Sequence, residues 1–214
     1  MKEKLKKLYN ERLKDFVNVV ESFPEDDLAG PFLMSPNDKY SSQPKRLLIV
    51  GQETFGWDYH VSNIDKQMQA YENFNLGVDY YSSPFWNITR KVERALKNEE
   101  HSCAWTNISK FDHDGGRAQG KYEQVISSLD SILVDEIKII APTVCIFFTG
   151  PSFDGRIKNI FEGIQFDDVS NWPNRQFCKL THPLLPENTF RSYHPKSLRM
   201  RHLENNFIDF ISTL

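Results

Sequence analysis

The chain has 214 residues, 39% of them hydrophobic, enough to bury one substantial core, so a single domain spanning residues 1–214 is expected. A formal net charge of −3 argues against a surface devoted to nucleic acid and leaves room for a local basic patch. No apolar run reaches membrane-spanning length, and the opening MKEKLKKLYNERLKDF lacks the apolar core of a signal peptide, so a cytoplasmic protein without a membrane segment is expected.

Sixteen Phe, eight Tyr and four Trp suit a large core or a stacking pocket. Cys103, Cys145 and Cys178 have no CxxC spacing, and two of them lie inside apolar strand-like runs. They read as reduced, buried thiols, not as a disulfide or metal set.

In chain order, residues 2–20 carry Leu5, Leu8, Leu13, Phe16, Val17 and Val20 at helical spacing, with a Lys-rich solvated face. Phe23-Pro24-Glu25-Asp26-Asp27, Gly30-Pro31 and Ser35-Pro36 make a turn-rich lead-in to about residue 44. Leu47-Leu48-Ile49-Val50 is continuously apolar, as in a strand buried on both faces of a parallel sheet. Gly51 ends it, and Gln52-Glu53-Thr54-Phe55-Gly56-Trp57 follow. Residues 62–75 read as a polar helix, and a second helix opens at Ser83-Pro84, with Ser82 or Ser83 as cap and Ile88, Val92 and Leu96 inward.

Cys103 to Thr106 reads as a short strand ending at Asn107, and residues 112–120 as a loop. Residues 122–140 have helical periodicity up to Pro142, and 144–149 form a third apolar strand closing on Gly150. A helix through Ile157 and Phe161, strands at 176–181 and 189–193 (one or both in the sheet), and a helix over 195–214 with Leu198, Leu203, Phe207, Phe210 and Ile211 inward complete the chain. The alternation predicts an α/β fold: a three-layer α/β/α sandwich around a mostly parallel sheet of about four strands, with Leu47-Leu48-Ile49-Val50 central.

In such sheets ligands bind beyond the carboxyl ends of the strands. Three polar groups fall there. Glu53 suits a general base or a stabiliser of positive charge, but a carboxylate at a helix start is also ordinary. Asn107 can read an amide-bearing ligand, or merely form a turn. His194, in Tyr193-His194-Pro195-Lys196, can donate to a developing anion, or sit on the surface before a helix. Their coincidence at three strand ends predicts one pocket, with Phe55 or Phe85 on its wall.

The ordered motifs resemble the uracil-DNA glycosylase superfamily. Gly51-Gln52-Glu53-Thr54-Phe55 resembles its first motif, which in one branch reads Gly-Gln-Asp-Pro-Tyr. His194-Pro195-Lys196-Ser197-Leu198 is similar to its last motif, His-Pro-Ser-Pro-Leu. Ser83-Pro84-Phe85-Trp86, Asn107-Ile108-Ser109-Lys110 and the strand ending at Gly150 resemble elements lying between them in the same order.

The resemblance implies base flipping and hydrolysis of the N-glycosidic bond to uracil or another deaminated or damaged base. Glu53 and His194 would be catalytic, and Gln52, Phe55, Phe85 and Asn107 would hold the base. Lys110, Lys196, Ser197, Arg199 and Arg201 would contact DNA, and Leu198 would fill the gap left in the stack. Arg191 adds to the basic tail. No cofactor, metal or iron–sulfur cluster is expected, because three cysteines cannot supply the four ligands of a cluster; the expected partner is DNA, met by a monomer.

The sequence departs from the family at the first motif. Glu53 replaces its Asp and is one methylene longer, while Thr54, Phe55 and Gly56 replace the Pro, Tyr and the His that follows. Displacing an attacking water by about 1 Å can cost a hundredfold in rate. A non-catalytic protein of this fold, binding nucleic acid or a protein, is the alternative reading. A small-molecule α/β enzyme is disfavoured by the absence of GxGxxG and P-loop motifs.

Overall fold

The two longest apolar runs become neighbouring strands. The computed structural model describes residues 1–24, 28–58 and 61–214. Numbered along the chain, the strands are β1 (Leu28–Ala29), β2 (Leu47–Gly51), β3 (Ala104–Asn107), β4 (Asp112–His113), β5 (Val144–Phe147), β6 (Gln165–Asp168), β7 (Phe177–Thr181) and β8 (Asn188–Ser192). The α-helices are α1 (Lys2–Glu11), α2 (Leu13–Glu21), α3 (Lys39–Ser42), α4 (Ile64–Phe74), α5 (Pro84–Ala95), α6 (Lys121–Ile126), α7 (Ser131–Ile140), α8 (Asp154–Ile160), α9 (Pro195–Met200) and α10 (Glu204–Ile211).

The fold is α/β, with a six-stranded sheet in the order β3-β2-β5-β8-β7-β6. The ladder β2-β5-β8 is parallel: Leu47 pairs with Val144 and Val50 with Phe147, while Val144 pairs with Asn188 and Phe147 with Arg191. β2 is therefore an interior strand, and every residue of β2 and β5 is buried, as strands covered on both faces require. β7 and β6 add an antiparallel hairpin beyond β8. The strand count thus exceeds the expected four. β6 is the unforeseen member, because Gln165, Phe166, Asp167 and Asp168 form a polar, largely exposed edge with no apolar run to announce it.

The chain divides into two compact units that interleave in sequence. One comprises Met1–Ser35, Gln52–Asn73 and Thr106–Ile140; the other comprises Pro36–Gly51, Phe74–Trp105 and Ala141–Leu214. In the first unit the helix expected over 2–20 is two helices broken at Arg12, whose N–H reaches the carbonyls of both Leu8 and Tyr9. The helical periodicity at 122–140 is likewise split, into α6, a 3₁₀ turn and α7. Residues 25–27 of the turn-rich lead-in fall outside the described residues.

At the centre of the first unit lies a buried ion pair. Glu136 on α7 accepts from Lys110 Nζ at 2.8 Å on both oxygens, from Thr106 Oγ1 at 2.7 Å and from Tyr9 Oη at 2.8 Å. Burial, reinforced by the Glu136 charge, pushes the Tyr9 phenol well above its usual range. Lys110, expected to contact DNA, is thereby corrected to an interior role: it is 1% exposed, with its ammonium spent on Glu136.

The second unit uses a comparable device. Glu93 on α5 accepts from the backbone N–H of His101, Ser102 and Cys103 and is ion-paired with Arg90, which fixes the chain entering β3. Ser83 caps α5, its hydroxyl accepting from Trp86 N–H at 3.3 Å with Pro84 in the first turn, as its sequence predicts.

Removing one member of a buried ion pair leaves an uncompensated charge, a loss of about 3–5 kcal/mol. Lys110→Met should therefore lower the urea unfolding midpoint severely, and Lys110→Met combined with Glu136→Leu should recover most of the loss. An unchanged midpoint in the single variant would contradict the pairing.

Candidate functional site

Parallel pairing brings the carboxyl ends of β2, β5 and β8 to one edge of the sheet. From β8 the chain runs through Tyr193 to His194, which caps α9. The imidazole Nδ1 accepts from Lys196 N–H at 3.3 Å, and the ring lies 5.8 Å from that of Phe85. Phe85 in turn packs edge-on against Phe148, just past β5, at 6.0 Å. Burial, with a smaller contribution from Lys196, lowers the His194 pKa to about 4. At neutral pH the ring is therefore uncharged. With Nδ1 accepting, Nε2 carries the proton and is the donor. His194 and Phe85 thus meet as side chains, two of the expected site residues brought together in one unit.

The rest of the tail is placed only in part as the resemblance implies. Leu198 is fully buried, so its apolar side chain is core and presents no wedge to a base stack. Arg191 is also fully buried: it binds Asp154 at 3.0 and 3.2 Å and the carbonyls of Asn174 and Arg175, which removes it from the basic surface. Arg199 is engaged by Glu204 at 3.0 Å and Asn87 at 2.6 Å. Ser197 is half-buried in the first turn of α9. Lys196 and Arg201 are exposed, and the Arg201 guanidinium lies over the Tyr193 ring at 5.1 Å.

In the other unit, Gln52 and Glu53 begin the loop that follows β2, and both are half-buried. The Gln52 carbonyl accepts from Ser109 N–H at 2.9 Å, tying this loop to the segment leaving β3, where Asn107 sits buried at the strand end. The loop is organised by Asp112, which sequence reading assigned to a plain loop. Its Oδ2 accepts from Thr54 Oγ1 at 2.5 Å, Gly56 N–H at 3.1 Å and Trp57 N–H at 3.3 Å. Gly56 takes a left-handed φ of 70° that a side chain would strain, which makes the turn tight enough for one carboxylate to clasp it. Nothing in the local sequence set Asp112 apart from Asp114, two residues on. The clasp points Phe55 outward: its ring is 90% exposed, so it forms no pocket wall, contrary to one of the two expected arrangements.

Other chemistries find little to work with. Burial raises the thiol pKa of all three cysteines, Cys178 to about 11, so none is a thiolate nucleophile. Among the described residues, no three His, Cys, Asp or Glu side chains are grouped to hold a metal ion. Among the same residues, no helix is long and apolar enough to cross a membrane. No protein-family model matches the chain, and no curated protein matches it.

Two outcomes test this geometry. Asp112→Ala leaves the Thr54, Gly56 and Trp57 donors short of their acceptor, a loss of about 1–3 kcal/mol, and should speed hydrogen exchange at the Gly56 and Trp57 amides. Unchanged exchange would mean that the clasp does not hold the loop.

The second concerns pH. Because His194 titrates near 4 in the folded chain and near 6.5 when unfolded, the unfolded state binds the extra proton between those values. The contribution of His194 is complete above pH 6.5 and is lost as pH falls toward 4, by at most about 3 kcal/mol. His194→Gln should flatten the stability-versus-pH curve in that window; an unaltered slope would contradict the burial of the neutral ring.

Proposed function

We propose that the chain is a uracil-DNA glycosylase-like hydrolase that releases a deaminated or damaged base from DNA. The observation that carries this reading is His194: a neutral imidazole at a strand end, its tautomer set by Lys196 N–H, with its Nε2–H free of that cap and the Phe85 ring beside it. In this reaction the electrons of the breaking C1′–N bond move into the base and collect on its carbonyl oxygen. A preorganised neutral donor stabilises that charge without surrendering its proton. Water supplies hydroxide to C1′ and a proton to the departing base. Glu53, half-buried two residues past β2 in the chain, would on the resemblance balance the oxocarbenium-like sugar and orient the water. Asn107 and Gln52 would read the base edge and Phe85 its face, with Lys196 and Arg201 as phosphate contacts.

The reading includes a three-layer α/β/α arrangement, a single glycosylase-like domain acting as a monomer, and a cytoplasmic location. A second reading is favoured by one observation. Phe55, in the first motif, projects into solvent instead of toward a base, as it would in a protein that kept the fold to bind a partner without catalysis.

Strand scission after alkali, scored on oligonucleotides carrying uracil, hypoxanthine or a mismatch, separates the two readings. Turnover on at least one lesion is expected, and His194→Ala should reduce it by about 10²- to 10³-fold, the usual effect of removing a donor to a developing anion. Glu53→Gln should slow release while leaving affinity largely intact. DNA binding without release on any of these substrates would support the partner-binding reading.

A further inference from the structure

A continuous row of aromatic rings leads from the surface to His194 within the second unit. Tyr80 stacks on Phe74 at 5.4 Å and 27°, Phe74 meets Trp86 at 5.5 Å, Trp86 meets Phe85 at 5.1 Å, and Phe85 meets His194 at 5.8 Å. The outer end of the row is open to solvent: Tyr80 is 58% exposed and the adjoining Tyr81 69% exposed.

The backbone that carries these tyrosines is held in place. They end a turn in which Gly77 (φ 68°) packs so closely on Trp86 that a Cβ there would lie 2.4 Å from the indole nitrogen, and Ser83 N–H is bonded to the Tyr80 carbonyl. Tyr80, stacked on Phe74 above a braced turn, is a preorganised stacking surface with little side-chain freedom left to lose on binding, and Tyr81 adjoins it.

We propose that this row is a platform for single-stranded DNA, on which unpaired bases flanking the reacting nucleotide stack against Tyr80 and Tyr81. This deepens the hydrolase reading and rests on it for the identity of the reacting nucleotide. In a duplex each base face is covered by its neighbours, so exposed rings can add stacking only to unpaired bases. Leu198, the tail residue that would brace a duplex after flipping, is buried in the core. Lys196, exposed in the first turn of α9, would supply a phosphate contact beside His194. Asp79, exposed next to Tyr80, makes that end of the row a stacking contact and not an ionic one. Met200, 70% exposed at the other end of α9, is the one tail side chain that could act as a duplex wedge instead.

Fluorescence anisotropy with one labelled oligonucleotide, as a single strand and annealed to its complement, tests the platform on the full chain. The single strand should bind at least about tenfold more tightly than the duplex. Tyr80→Ala and Tyr81→Ala should each weaken single-strand binding by about 5- to 100-fold without changing its salt dependence. Lys196→Ala should instead lower the salt slope by about one. Met200→Ala should leave the ratio unaltered.

Equal binding of duplex and single strand would overturn the proposal. So would tyrosine variants that bind single strands like the parent while retaining its thermal unfolding, or loss of duplex binding alone in Met200→Ala. If bases are released equally from duplex and single strand and the tyrosine variants are unimpaired, the platform fails and the hydrolase stands. If no base is released yet the tyrosine variants lose single-strand affinity, the hydrolase fails and the platform stands.

Discussion

The parallel ladder β2–β5–β8 is the constraint on which the second unit depends. Buried on both faces, these strands cannot satisfy their backbone groups with water, so each N–H and C=O must find the neighbouring strand. That demand fixes the register, pairing Val50 with Phe147 and Phe147 with Arg191. Register in turn decides what emerges at the carboxyl edge. A slip of one residue would exchange the faces of Phe190 and Arg191 and move His194 along the edge. His194 is therefore positioned by hydrogen bonds several residues upstream of it, and its own cap to Lys196 only sets the ring.

Several of the chain's cations are used inside. Lys110, Arg90 and Arg191 are cations in the sequence, yet all are buried and paired with Glu136, Glu93 and Asp154 respectively. Such pairs are weak contributors to stability when intact and costly when halved, so they specify arrangement more than they strengthen it. The consequence for function is direct. With these cations withdrawn, Lys196 and Arg201 are left exposed in the tail, and under the proposed reading DNA recognition would draw on aromatic contact as well as on phosphate attraction.

What was legible in the sequence were the features written in a single local stretch. Leu47-Leu48-Ile49-Val50 and Val144-Cys145-Ile146-Phe147 announce buried strands by continuity, and Ser83-Pro84 announces a capped helix. His194 before Pro195 was legible as a residue at a helix entrance, and its burial was not. The features that escaped depend on partners far along the chain. Asp112 clasps a loop more than fifty residues earlier, and Lys110 meets Glu136 on a helix whose periodicity gives no sign of a buried carboxylate. For Leu198 the helical periodicity pointed inward, as its burial bears out, while the resemblance assigned it to the base stack; one leucine can satisfy both patterns in sequence. β6 was missed because an edge strand needs no apolar run.

The central claim is that His194 is a neutral imidazole with its proton on Nε2. Long-range nitrogen–proton correlation spectra of the imidazole rings, recorded on the folded protein at pH 6, read both properties at once. The expected result is one ring with nitrogen shifts of the neutral Nε2–H tautomer, still uncharged at pH 6 and absent from the His194→Gln spectrum. A His194 ring that is protonated at pH 6, or that carries its proton on Nδ1, would contradict it.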